Sequence, residues 1–111
     1  MPDWIEIGRI DDIPRRGSRL VETAKGPIAV FRCNDDSIFA LHNRCPHRGG
    51  PLSEGIVHGH KVTCPLHNWV IDLESGEAVA PDIGCAPLVP VKVTAGRISL
   101  QVDVRLKVVH G

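Results

Sequence analysis

The chain has 111 residues, with 13 basic and 13 acidic side chains and a formal net charge of zero. That length makes one domain with a core that needs no disulfide staples, and balanced charge leaves no footprint for nucleic acid or an anionic membrane surface. No apolar run approaches spanning length and the start Met1-Pro2-Asp3-Trp4 has no basic-then-apolar secretory pattern, so a cytoplasmic protein is expected, where cysteines favour metal binding over disulfides.

Gly or Pro punctuates the chain every few residues, and the segments between are short and rich in Val and Ile. This is the pattern of antiparallel strands joined by turns, and no helix of ordinary length is expected. The first predicted strands run from Trp4 to Gly8, Arg19 to Thr23, Ile28 to Cys33 and Ser37 to Leu41, with Asn34-Asp35-Asp36 as the turn between the last two. Residues Ile56 to Val62, apolar pairs around Gly59, read as a small hairpin. Further strands are expected from Trp69 to Leu73 and from Glu77 to Ala80 around the turn Glu74-Ser75-Gly76, then a hairpin of Leu88 to Thr94 and Ile98 onward through Ala95-Gly96.

Two segments carry the chemistry. Cys45-Pro46-His47 and Cys64-Pro65-Leu66-His67 each offer one thiolate and one imidazole, with sixteen residues between His47 and Cys64. A structural zinc site also accepts two Cys and two His, but its usual spacing keeps like with like, whereas these pairs are mixed. A cysteine nucleophile needs one thiol and one base, which leaves the second pair unexplained. One thiolate-ligated and one imidazole-ligated iron suit both pairs, and here the chain resembles the Rieske [2Fe-2S] ferredoxin family, whose known ligand set this is.

The resemblance implies an all-β fold, an antiparallel β-sandwich or barrel base with an inserted cluster-binding subdomain at about residues 43–82, the base being residues 3–42 and 83–103. It implies one [2Fe-2S] cluster per chain, held by Cys45, His47, Cys64 and His67, and a chain that carries one electron at a time rather than a catalyst alone. Neutral imidazoles make such a cluster less negative and easier to reduce than all-thiolate ligation. Pro46 and Pro65 fit loops held in a fixed pose, and Gly49, Gly50 and Gly55 would let backbone approach sulfur. High-potential members add a disulfide between the ligand loops and Ser and Tyr donors to sulfur. The corresponding positions here are Gly50 and Leu66 for the disulfide and Trp69 for the Ser, and the chain contains no Tyr. A potential near the low end of the roughly -150 to +300 mV span of Rieske centres is therefore expected.

The run Cys64 to Leu73, then Ser75-Gly76-Glu77-Ala78, Pro81-Asp82 and Gly84-Cys85, resembles the small subunit of NAD(P)H-dependent assimilatory nitrite reductase. That likeness implies a large-subunit partner holding flavin, siroheme and another iron-sulfur cluster. The alternatives are the ferredoxin of an aromatic-ring dioxygenase, working between a flavin reductase and an oxygenase, and a non-redox zinc-binding interaction module. No nucleic-acid or membrane partner is expected.

Other reactive side chains have plainer readings. Pro81 to Pro87 reads as a rigid turn where the family places a loop over the cluster; Cys85 is expected as a packing thiol, Cys33 as a small core residue and Trp69 as an anchor for the second ligand loop. His42, His58, His60 and His110 read as solvated or turn histidines, and Arg44 and Arg48 as solvated cations or docking charges. Strict alternation of apolar and polar residues from Ile98 to Val108 reads as a half-buried strand, with residues 104–111 an extension beyond the family pattern.

Overall fold

A computed structural model describes residues 2–23, 26–46, 50–66 and 68–103. Its strands are β1 Pro2–Arg9, β2 Gly17–Thr23, β3 Gly26–Arg32, β4 Ile38–His42, β5 Ile56–His58, β6 Lys61–Thr63, β7 Val70–Asp72, β8 Leu88–Val89, β9 Val91–Thr94 and β10 Arg97–Asp103. They form three antiparallel sheets, ordered β1-β10-β9, β2-β3-β4-β8 and β5-β6-β7. The only helical elements among the described residues are two single 3-10 turns, Ile10–Asp12 and Leu52–Glu54. The all-β expectation therefore matches the molecule, and no described helix is long and apolar enough to cross a membrane.

The four-stranded sheet is the middle layer. Side chains alternate along a strand, and on β3 Ile28 and Val30 enter one core with Ala40, Val89, Ile98 and Leu100, against the β1-β10-β9 sheet. Ala29 and Phe31 enter the other, with Leu41, Leu52, Val57, Val62, Ile71 and Leu73, against the small β5-β6-β7 sheet. A strand buried on both faces cannot alternate apolar with polar. Residues 28–32 are accordingly buried without a break.

Turn chemistry sets the registers. Ala95 and Gly96 both have positive φ, 52° and 79°, the mirror-image turn that suits a two-residue hairpin, and Thr94 pairs with Arg97 across it. At the β3–β4 turn Asp36 has φ 69°. The Arg32 guanidinium grips Asp36 Oδ1 from Nε at 2.9 Å and Nη2 at 2.8 Å, and its Nη1 donates to the Ile13 carbonyl at 2.8 Å. These bonds satisfy a nearly buried cation.

Two expected elements differ. Leu88 to Thr94 is not one strand: Pro90, lacking an N–H, divides it, β8 pairing with β4 in the middle sheet and β9 with β10 in the outer one. Glu77 to Ala80 forms isolated bridges, Ile71 with Ala78 and Glu77 with Cys85, instead of a ladder. Its bonds go to both sides, Val79 N–H to the Val70 carbonyl at 2.8 Å and Ala78 N–H to the Gly84 carbonyl at 2.8 Å. In β10, Ile98 and Leu100 are buried as the alternation requires; residues 104–111 lie outside the described residues.

The layering separates two effects that adjacent residues would otherwise share. Val30→Ala and Phe31→Ala should both destabilise the fold, Phe31→Ala by about 3–5 kcal/mol. Only Phe31→Ala, on the side of Cys45 and Cys64, should also speed loss of iron at temperatures below unfolding. Parallel thermal melts and iron release rates check this.

Candidate metal centre

Cys45 and Cys64 stand on two loops at the end of the small sheet and are both buried and unbridged. The loops are closed alike: Cys45 N–H donates to the Gly50 carbonyl at 2.9 Å, and Cys64 N–H to the Trp69 carbonyl at 2.6 Å. Each cysteine thus bonds the backbone five residues on, and the histidine of its pair falls inside the loop. His47 and His67 themselves, with Arg48 and Gly49, lie outside the described residues.

The two thiols meet. Burial first, then Cys45 as hydrogen-bonding partner and like charge, pushes the Cys64 thiol up from its ordinary value, while the Leu66 N–H, 3.4 Å from Cys64 Sγ, pulls it down. Two adjacent buried thiols are costly to ionise together without a cation, and a metal centre removes that cost. A backbone N–H aimed at a ligand sulfur is the hydrogen bonding such centres use.

Neighbouring residues shape the space. A Cβ on Gly50 would stand 2.9 Å from Leu66 Cδ1 and 3.1 Å from Cys64 Sγ. The two positions where high-potential relatives carry a disulfide are therefore in contact here as Gly and Leu. Gly84, at φ 148°, brings the third loop onto the first, since a Cβ there would be 2.9 Å from Pro46 Cβ and 3.8 Å from Trp69 Cζ3. Trp69 packs on the core beside Cys64 as expected. Cys85 does not, because its side chain is exposed: Glu77 bridges to its backbone, and the buried place next to it goes to Ala86. Cys33 is in the core, just after β3. Arg44 is exposed.

A family model, the Rieske [2Fe-2S] domain, matches residues 3–92. The chain belongs to the Rieske [2Fe-2S] family. The domain implies a Rieske cluster, and the paired buried thiols fit its thiolate half. The anthranilate 1,2-dioxygenase ferredoxin subunit of Burkholderia cepacia is 34% identical over 108 residues, covering 92% of this chain and 94% of that one. Among solved structures, a protein provisionally described as an NADH-dependent nitrite reductase small subunit from Mycobacterium tuberculosis superposes with a TM-score of 0.79 at 27% identity, covering 90% of this chain and 95% of that one. The carbazole 1,9a-dioxygenase ferredoxin of Nocardioides aromaticivorans IC177, at 21% identity, a TM-score of 0.80 and coverage of 90% and 98%, shares the fold. This Rieske-type domain is an electron carrier.

One residue of interest was not legible in the sequence. His60, at the β5–β6 turn, is no free turn histidine: Nδ1 is 2.7 Å from Glu74 Oε2 and Nε2 is 2.9 Å from Asp35 Oδ2. Its ring also packs on Phe39, centroids 5.1 Å apart. Glu74 and then Asp35 raise the imidazole from its ordinary 6.5, and His60 in turn lowers Asp35 to about 2. His58 also has a partner, Thr63 Oγ1 at 2.7 Å from Nε2.

Two outcomes follow. Gly50→Ala should reduce iron content, because the new methyl presses on Cys64 Sγ; iron per chain measures it. For His60, a raised imidazole contributes stability fully below pH 6.5, lost as pH rises through its folded value; lowered Asp35 contributes above 3.8, lost as pH falls toward about 2. With chelator present, the melting temperature of the wild type should therefore fall more between about pH 6 and pH 9 than that of His60→Gln.

Proposed function

We propose that Cys45 and Cys64 hold one iron and His47 and His67 the other, and that the chain is the small subunit of an NAD(P)H-dependent nitrite reductase acting in nitrate assimilation in the cytoplasm. Residues 43–82 serve as the cluster-binding unit, residues 3–42 and 83–103 as its base, and residues 104–111 as a C-terminal extension. The bound cluster supplies one-electron transfer. The protein's part is to bury the two thiolates, donate the Leu66 N–H to Cys64 Sγ, and cover the loops with Pro46, Trp69 and Gly84.

The observation carrying the nitrite reductase reading is that the residues marking it are those the fold uses around the site. Asn68 takes φ 58° inside the second ligand loop, Trp69 closes that loop, and Gly84 makes the tight approach to Pro46. The Mycobacterium tuberculosis relative, matched over nearly its whole length, supports it. A second reading, the ferredoxin of an aromatic-ring dioxygenase passing electrons from a flavin reductase to an oxygenase, is favoured by the 34% identity to the anthranilate dioxygenase ferredoxin. Exposed Leu66 and Ile83, on the second ligand loop and beside Gly84, give either partner an apolar contact at the cluster end.

Protein purified without air should be coloured, hold two irons per chain, and show on reduction the low average g value of Rieske centres. His47→Cys should keep iron with an altered spectrum and a lower potential, a thiolate having replaced a neutral ligand. An all-thiolate ferredoxin signal from the wild type, or a colourless zinc protein, overturns the ligand assignment. For the partner, the chain is mixed with a nitrite reductase large subunit: co-elution and faster NAD(P)H-dependent nitrite reduction support the first reading. Electron delivery only to a flavin reductase and oxygenase pair supports the second.

A further inference from the structure

Apart from Cys45 and Cys64, the described residues contain one cluster of metal-ligating atoms. An atom each of Cys33, Asp35 and His60 lie within 4.8 Å of one another. We propose that Cys33 Sγ, an Asp35 carboxylate oxygen and His60 Nε2 form a second metal site, for a borderline-soft divalent cation of the zinc type, which ties the β3–β4 turn to the β5–β6 turn.

Four features of the cluster point to a cation. The donor set is a thiol, an imidazole and a carboxylate, the three ligand types zinc takes. Cys33 is fully buried, and its thiol has no hydrogen-bond partner among the described residues, so a buried polar atom faces the cluster unsatisfied. His60 Nδ1 is already bonded to Glu74, the carboxylate–histidine arrangement that orients imidazole ligands and leaves the other nitrogen for the metal. Finally, the donors are held from outside the cluster: Asp35 Oδ1 accepts the Ser37 N–H at 3.1 Å, which leaves Oδ2 for His60, and the His60 carbonyl accepts the Leu73 N–H at 2.8 Å.

Binding replaces protons with the cation. The thiol releases one and the Nε2–Asp35 contact gives up the other, so that thiolate, carboxylate and neutral imidazole face a doubly charged ion with no net charge left over. Exposed Asp35 and partly buried His60 give the ion a way in, and water can complete a four-ligand shell. Burial, with Asp35 and Glu74 adding to it, pushes the Cys33 thiol up to about 11. Zinc must displace that proton, and its affinity should rise with pH.

The test uses the full-length holoprotein, equilibrated with Zn2+, passed through a desalting column and analysed for zinc and iron together. The expected result is one zinc per chain with the iron content unchanged, and a higher melting temperature than without zinc. Cys33→Ser, Asp35→Asn and His60→Gln should each lose the zinc and the added stability while keeping their iron; Glu74→Gln should weaken binding about tenfold or more; His58→Asn should change nothing. Should Cys33→Ser fail to fold, Asp35→Asn and His60→Gln decide. The proposal is overturned by no retained zinc, by zinc that Asp35→Asn and His60→Gln leave in place, or by zinc taken up only as iron is lost, since that metal would sit at Cys45 and Cys64.

Discussion

The arrangement of the molecule depends on one strand buried on both faces. β3 gives Ile28 and Val30 to the outer layer and Ala29 and Phe31 to the layer that carries the ligand loops. Cys45 and Cys64 are members of that second core, in the company of Leu52, Val57, Val62, Ile71 and Leu73. The thiols are thus placed by the same apolar packing that attaches the small sheet to the rest of the chain. Burial that raises the cost of an unligated thiolate also makes the site dry, and the two facts together favour a bound cation over free cysteines. An interior at crystal-like density keeps such a site in one geometry, which one-electron transfer at a fixed distance from a partner requires.

How much of this was legible in the sequence depended on how local each signal was. Hairpins were legible because their turns announce them: Asn34-Asp35-Asp36, Gly59 and Ala95-Gly96 stand between short apolar runs, and the strands lie within a residue or two of their predicted ends. The mixed Cys-His pairs were legible as a metal signature because both members of a pair sit within one loop, although the described residues bring together only Cys45 and Cys64 of the four. Pro90 marked a break, yet not that the chain crosses there from one sheet to another. The failure at Glu77 to Ala80 has the same origin, since its bonds run to Val70 on one side and Gly84 on the other. Exposure of Cys85 was hidden too, because one residue's shift decides whether it or Ala86 turns inward.

His60 is the clearest case of what a sequence withholds. Its partners lie 25 residues before it and 14 after it, and no periodicity links a hairpin-turn histidine to carboxylates so far off. What brings them together is the β3–β4 turn, and that turn is held by Arg32. By fixing Asp36 Oδ1 with two of its nitrogens and the Ile13 carbonyl with a third, the guanidinium sets a bend in which Asp36 N–H reaches the Cys33 carbonyl at 3.0 Å and Cys33 N–H reaches the Ser37 carbonyl at 2.9 Å. Asp35 then projects toward His60, with Cys33 beneath it.

The magnitudes assign different work to these ions. Asp35 and Glu74 are largely exposed, and exposed pairs contribute little to stability, so the two contacts of His60 orient the ring more than they hold the sheets together. The apolar core does the holding. Arg32 is the opposite case: nearly buried, it would leave an uncompensated charge in the core if Asp36 were removed, and such losses are severe. Among the polar contacts, the strong one therefore lies at β3 and its turn, while those of His60 between the layers are weak. A turn so fixed presents a thiol, a carboxylate and an oriented imidazole at a junction packed by apolar side chains but only lightly tied by polar ones, which is where a divalent ion would add a tie that the ion pairs do not supply.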